Sequence, residues 1–222
     1  MAVPSTNTKL SDIQTEFGGS NPIQLSEYYS GGPLVPSGAP APNGPIPSSG
    51  QISVGQFRGA TNAGFVAATG GTISTDGDFK IHAFTGPGTF TVTDAGNPAG
   101  SNSIEYAVVG GGGSGGSRRG GGAGAGGFRS IFPSPATGGL PVSATGYPIT
   151  VGGGAAPAPG QPSAVKGING SSSSGFGITS AGGGGGGTVS PSPSVRIGNP
   201  GGSGGAGARA GSPGGSGNTP PV

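Results

Sequence analysis

Phe176-Gly177-Ile178-Thr179-Ser180-Ala181-Gly182-Gly183-Gly184-Gly185-Gly186-Gly187-Thr188 passes from an alternating stretch straight into six consecutive glycines. The same junction recurs where Tyr106-Ala107-Val108-Val109 meets Gly110 to Gly113, and where Ile149-Thr150-Val151 meets Gly152 to Gly154; another glycine-rich stretch runs from Gly120 to Gly127. Two readings of such tracts compete. In one they are flexible linkers. In the other they are extended polyglycine segments lying side by side, bonded backbone to backbone at an approach that any Cβ would prevent. The tracts directly follow strand candidates and are not gathered into one linker, which favours packing. On that reading a valine at Gly184 or at Gly122 forces neighbouring backbones apart. No strict Gly-x-y period exists, so a collagen helix is excluded.

Composition agrees that a conventional core is missing. The chain has 222 residues, with 56 glycines and 23 prolines, so 79 positions are backbone specialists. Leu, Ile, Val and Phe together number 38, about 17% and below the roughly 20% that accompanies a self-sufficient core. A large enzyme core, a helical bundle and a coiled coil are excluded. What remains is a chain ordered by backbone hydrogen bonding, by partner chains, or hardly at all.

Outward from the tracts, a period of two appears. Phe79, Ile81 and Ala83 alternate with Lys80, His82 and Phe84, and Gly86-Pro87-Gly88 turns the chain into Thr89-Phe90-Thr91-Val92-Thr93. This predicts a hairpin. Further strands are expected at 103–109, 147–151 and 176–179. One antiparallel face of Phe79, Ile81, Phe90, Val92, Ile104, Tyr106, Val108, Ile149 and Val151 then makes a small core. The expected fold is mainly β and irregular: a small antiparallel sheet or sandwich with extended polyglycine or polyproline-II-like segments, little helix, and short helical turns near the N-terminus.

Those turns come from a loose repeat. Ile23-Gln24-Leu25-Ser26-Glu27-Tyr28-Tyr29 and Ile52-Ser53-Val54-Gly55-Gln56-Phe57 share one pattern, and Leu10-Ser11-Asp12-Ile13-Gln14-Thr15-Glu16-Phe17 is a longer relative. In the longer copy Ser11 and Gln14 form a candidate capping box and Gly18-Gly19 a stop. Each copy pins an aromatic (Phe17, Tyr28 or Tyr29, Phe57), and no copy alone can bury it, so a partner surface is expected to. The proline-dense stretch Pro33 to Pro47 reads as an extended strap or linker. The expected division is 1–62 as an attachment region, 63–187 as a glycine-rich β domain, and 188–222 as a Pro/Ser/Gly-rich extension.

Charge is lopsided. Residues 1–105 carry three bases against seven acids; residues 106–222 carry Arg118, Arg119, Arg129, Lys166, Arg196 and Arg209 with no acid. Such asymmetry points to two ends with different partners, the alternative being a sparse solvated surface. No aromatic-interleaved basic patch supports nucleic-acid binding.

Catalytic and metal chemistry find little to stand on. There is no cysteine and one histidine, His82, which excludes thiolate or histidine-cluster metal sites. His82 lies beside Asp78 on one short stretch without a nucleophile elbow, and Gly110 to Ser117 lacks the Lys-Ser/Thr of a phosphate loop. Asp76-Gly77-Asp78 reads as turn chemistry. No enzyme activity, cofactor or metal is expected. No apolar run reaches the roughly 18 residues of a membrane span, and the sequence opens without a basic region and apolar stretch, so synthesis in a cytoplasm is expected.

The N-terminal patterns Leu10 to Ile23, Leu25-Ser26-Glu27-Tyr28-Tyr29 and Gln51 to Phe57, followed by strands that end in glycine bursts at Gly110, Gly152 and Gly182, resemble glycine-rich virion structural proteins of tailed bacteriophages, the tail-fibre and minor tail proteins. The resemblance implies a virion location in the phage tail, attachment to other virion proteins through the N-terminal aromatics Phe17, Tyr28, Tyr29 and Phe57, and an adhesin role for the glycine-rich part. It also implies a homo-oligomer such as a trimer, and a host-surface partner such as a polysaccharide or outer-membrane component, without membrane insertion. In such proteins glycine-rich sequence continues past a Thr-Pro-Pro-Val segment, which here is followed by nothing, so a further tip is implied. The host-contact candidates are Arg118, Arg119 and Arg129 with Phe128 and Phe132 as apolar neighbours, because arginine's planar fork suits phosphate and carboxylate groups. Alternatives are a capsid decoration or neck protein without receptor contact, and a non-viral surface or ice-binding protein.

Overall fold

Ile13 and Phe17 lie four residues apart, and this spacing puts them on one face of the α-helix that the chain forms there, α1 (Leu10–Phe17), where both are buried. The Lys9 N–H donates to the Asp12 carboxylate at 2.7 Å, so α1 starts upstream of the expected Ser11 cap, with an acid in its first turn. Gln14 works at the other end, donating to the Gly19 carbonyl at 3.2 Å. The Gly18 N–H closes α1 on the Gln14 carbonyl, with φ at 80°.

The computed structural model describes residues 2–131, 139–160, 163–209 and 211–218. Two compact units emerge: unit 1 from Met1–Ala68, Val92–Ile104 and Leu140–Ala144, and unit 2 from Thr69–Thr91, Glu105–Gly139 and Thr145–Val222. Both cut across the linear division read from the sequence.

Unit 1 is built on the repeat. Its second and third copies are short 3-10 turns at Leu25–Glu27 and Val54–Phe57, the latter closed by the Ser53 N–H donating to Gln56 Oε1 at 2.7 Å. The copies converge: Phe17 and Tyr28 each meet Phe57 edge to face with ring centroids 6.1 Å apart. The proline strap lays Val35, Ala39 and Ile46 into the same cluster, and Val3 completes it, its N–H bonded to the Ala60 carbonyl at 2.8 Å. No single copy can bury its aromatic, yet three copies and a strap can. The partner surface that the sequence reading calls for is supplied by the chain itself.

Among the described residues the strands, in chain order, are β1 (Val66–Thr69), β2 (Thr72–Asp76), β3 (Phe79–Ala83), β4 (Gly88–Ala95), β5 (Ser103–Ile104), β6 (Ala107–Val109), β7 (Phe128–Ser130), β8 (Leu140–Pro141), β9 (Gly146–Ile149), β10 (Ser173–Gly175) and β11 (Ile178–Ser180). The fold is mainly β, as expected, but in several small sheets: a three-stranded β1-β4-β9 and the pairs β2-β3, β5-β8, β6-β7 and β10-β11. The hairpin expected between β3 and β4 does not form. β3 pairs with β2 in register Asp76↔Phe79, around Gly77 at φ 56°, a partner hidden because Thr72–Asp76 holds a single large apolar residue. Phe79 and Ile81 are therefore exposed, while Phe90 and Val92 are buried. Within unit 2 Phe90 sits in an aromatic group with His82 (5.0 Å) and Phe176 (5.5 Å), and Phe176 also meets Tyr147 at 4.9 Å. His82 Nδ1 lies 2.8 Å from the Gly70 carbonyl.

The rest of unit 2 is a bundle of glycine-rich segments. Gly110, Gly113 and Gly116 donate to the carbonyls of Gly127, Gly124 and Gly121; Gly111, Ser114 and Ser117 donate to those of Ser171, Ile168 and Val165. Both ladders step by three, and none of these bonds closes within a segment. Residues 111, 114 and 117 are buried while 112, 115 and 118 are exposed, and no glycine of 110–127 or 182–187 has positive φ. Three residues per turn without internal bonds is the polyproline-II helix.

Segment 182–187 lies at the centre. The N–H groups of Gly183, Gly184, Gly186 and Gly187 donate to Gly111, Ser203, Ser114 and Ala206, and that of Gly185 to the Asn169 side chain at 2.9 Å. Their carbonyls, from Gly183 through Gly187, accept from Gly170, Gly124, Asn199, Gly167 and Gly121. Every backbone polar group of residues 183–187 is thus satisfied by a neighbouring segment, as burial requires. A Cβ on any of the six glycines would lie 1.9–2.2 Å from a neighbour's carbonyl oxygen. Packing, not flexibility, explains the run. Gly122 differs: nothing lies within 4 Å of its would-be Cβ, so the close approach of backbones expected to exclude any Cβ there is corrected. Residues 195–208, assigned by the sequence reading to an extension, supply neighbours of the central segment and belong to the bundle.

Candidate functional site

Several segments of the bundle end together around Gly187 and Thr188. Ser117 N–H donates to Val165 at 3.0 Å, Gly121 N–H to Gly187 at 2.8 Å, Thr188 N–H to Val195 at 2.8 Å, and Ala208 N–H to Arg196 at 2.8 Å. Buried hydroxyls tie the end: Thr188 Oγ1 donates to the Ser117 carbonyl at 2.8 Å, and Ser117 Oγ accepts from the Val165 N–H at 2.8 Å. The cations follow from this register. Arg118 and Arg119 come directly after Ser117, Lys166 after Val165, Arg196 after Val195, and Arg209 after Ala208. Antiparallel and parallel segments of a three-residue helix bring them to one level although they are separated by up to 91 positions in sequence.

Arg196 is engaged locally, donating from Nε to the Ser190 carbonyl and from Nη2 to that of Pro191 at 3.0 Å. Arg118, Arg119 and Arg209 are exposed and Lys166 is half-buried. Arg118 and Arg119 both sit in the left-handed region, at φ 49° and 50°, where glycine would be relaxed. With no acid in residues 106–222, this end attracts anions over roughly the 10 Å screening length of ordinary salt.

The sequence-predicted contacts separate. Arg118 and Arg119 lie at this end. Arg129 and Phe128 lie at the other, on β7, where Gly127 N–H bonds the Ala181 carbonyl at 2.7 Å and Phe128 pairs with Val109. Phe128 is 64% exposed, and Phe132 lies outside the described residues. Lys166, Arg196 and Arg209 escape a linear reading, because the bonds between segments, and not their spacing in sequence, set their level.

Of the aromatics expected at an attachment surface, Phe17, Tyr28 and Phe57 are buried in unit 1's own core. Tyr29 stays half-buried, its hydroxyl donating to the Gly50 carbonyl. The Tyr28 hydroxyl donates to the Gly18 carbonyl at 2.9 Å; burial and then the adjacent Glu27 carboxylate push its ionisation above the usual tyrosine range.

A family model for a glycine-rich domain matches residues 84–220, well over half of the chain. No curated protein and no solved structure matches it.

Proposed function

We infer the function of this chain from the premise that it belongs to the glycine-rich domain family, through residues 84–220. We propose that it is a structural component of a bacteriophage virion, a tail-fibre or tail-tip protein that attaches through unit 1 and meets the host surface with the basic end of unit 2. One observation carries this reading: a bundle ordered by backbone bonds from every side presents Arg118, Arg119, Lys166, Arg196 and Arg209 at one end, with no acid nearby in sequence. A rigid scaffold with a charged end suits surface recognition better than catalysis. The virion half of the proposal draws on the resemblance of the N-terminal repeat to tail-fibre proteins. Because unit 1 buries Phe17, Tyr28 and Phe57 in itself, attachment to other virion proteins would use its outer surface, where Tyr29 remains accessible, and a homo-oligomer would present several basic ends together.

The test is to locate the chain in electron-microscopy maps of purified particles and to count its copies. The proposal expects density in the tail at a copy number set by the tail's symmetry. Density on the capsid would replace it with a decoration role, and absence from particles would overturn it.

A further inference from the structure

We propose that the end of the bundle formed by Arg118, Arg119, Lys166 and Arg209 is a binding site for an anionic polysaccharide, one bearing carboxylate or phosphate groups. The inference rests on the recognition half of the reading above and not on the virion half. Two independent observations carry it. The first is convergence: the backbone register gathers five of the six cations of the glycine-rich half at one end, leaving only Arg129 at the other. Scattered solvation would not require that.

The second is backbone conformation. Among the described residues fourteen glycines take positive φ, as turns demand, but the turn between segments 110–117 and 120–127 is made by two successive arginines at φ 49° and 50°. A chain this rich in glycine holds arginine where glycine would relax the turn. Left-handed residues outside glycine concentrate where side-chain function outweighs local preference. Both arginines are exposed in that turn.

The ligand class follows from what surrounds the charges. Segments 114–121, 163–168, 186–199 and 206–209 contain no aromatic residue, so no platform exists on which nucleobases could stack. No helix among the described residues is long and apolar enough to cross a membrane; the exposed large apolar side chains of these segments are Val165, Ile168 and Ile197, and the vesicle arm of the experiment below measures whether they engage a lipid surface. Spaced cations on a rigid frame fit spaced anions on a polymer: each guanidinium fork takes one carboxylate or phosphate with two hydrogen bonds, while Lys166 adds a point charge. Arg196, holding the loop carbonyls of Ser190 and Pro191, is a positioning residue.

The full-length chain is titrated with polygalacturonate for carboxylate, a phosphomannan for phosphate, neutral dextran, a single-stranded oligonucleotide and anionic lipid vesicles, at low and at physiological salt. One or both anionic glycans should bind, with affinity falling as salt rises, and dextran should not. The variant Arg118→Gly/Arg119→Gly should bind about tenfold more weakly, two exposed ion pairs' worth, while melting no lower than the parent because its turn is relaxed. Arg129→Ser should leave binding unchanged. The inference is overturned if neither anionic glycan binds, if Arg129→Ser weakens binding as much as the double variant, or if the oligonucleotide or vesicles bind more tightly than both glycans. Failure here leaves the particle-location test untouched, and a particle without this chain would leave glycan binding standing.

Discussion

Replacing Gly184 by alanine places a methyl carbon 2.0 Å from the Asn199 carbonyl oxygen and 2.7 Å from the Gly205 nitrogen. Ordinary contact begins near 3.4 Å, so the neighbouring segment must retreat by more than an ångström. The bonds in its path are Asn199 N–H to Gly185 at 2.8 Å, Gly205 N–H to Asn199 at 2.9 Å, Gly184 N–H to Ser203 at 2.9 Å and Gly124 N–H to Gly184 at 2.8 Å. A displacement of that size takes two or three of them beyond useful length, and each leaves a buried polar group unsatisfied at about 1–2 kcal/mol. The expected loss is about 4 kcal/mol. For a chain of this size that is a melting temperature lower by about 8–16 °C, read by calorimetry, with earlier proteolysis of the glycine-rich half. Gly122→Ala is the matched control: its methyl meets nothing within 4 Å and its φ is not positive, so it should be neutral or stabilise by up to about 1 kcal/mol through the unfolded chain. If the two variants melt together, the packed-bundle explanation of the glycine run is wrong.

Asn169→Ala removes the acceptor of the Gly185 N–H and the donor to the Pro200 carbonyl at 2.9 Å; a loss of about 2–4 kcal/mol is expected in chemical denaturation, and a value near zero would mean that water or another group replaces the amide. Phe57→Ala opens a cavity beneath both Phe17 and Tyr28 and should destabilise unit 1 by about 3–5 kcal/mol; amide exchange that stays unchanged around α1 would contradict this shared core. Because Tyr28 ionises later in the folded state than its ordinary value of 10.0, its contribution is fully present below about pH 10 and is lost as pH rises through the raised value. Tyr28→Phe should cost about 1 kcal/mol at neutral pH by losing the bond to Gly18 and should show a shallower alkaline decline, which parallel pH–stability curves for the two proteins would disprove.

The N-terminal repeat shows how far local chemistry reaches. Helical turns at Leu10–Phe17, Leu25–Glu27 and Val54–Phe57 are legible because a turn depends on residues within four positions. The exact cap is less legible: Asp12 closes α1 on Lys9 in place of the expected Ser11–Gln14 box, and Ser53–Gln56 forms a box that the sequence reading does not single out. The meeting of Phe17, Tyr28 and Phe57 is not legible, since each copy read alone lacks the surface that the other two provide. β3 makes the same point: its alternation marks a strand, but its choice of β2 over β4 was settled by the turn at Gly77 and not by the pattern of Thr72–Asp76.

A chain without a conventional core, with short turns and strands, polar extended segments, and a glycine-rich half whose charges are all positive was readable residue by residue. These depend on composition and near neighbours. Only the assembled bundle fixes that Gly184 has no room for a Cβ and Gly122 has, that residues 195–208 belong to the bundle, and that Lys166, Arg196 and Arg209 join Arg118 and Arg119 while Arg129 does not. The reason is physical: a polyproline-II helix makes no bonds within itself, so each N–H and C=O of residues 183–187 must find its partner on another segment, and the choice of that segment is a property of the assembled bundle.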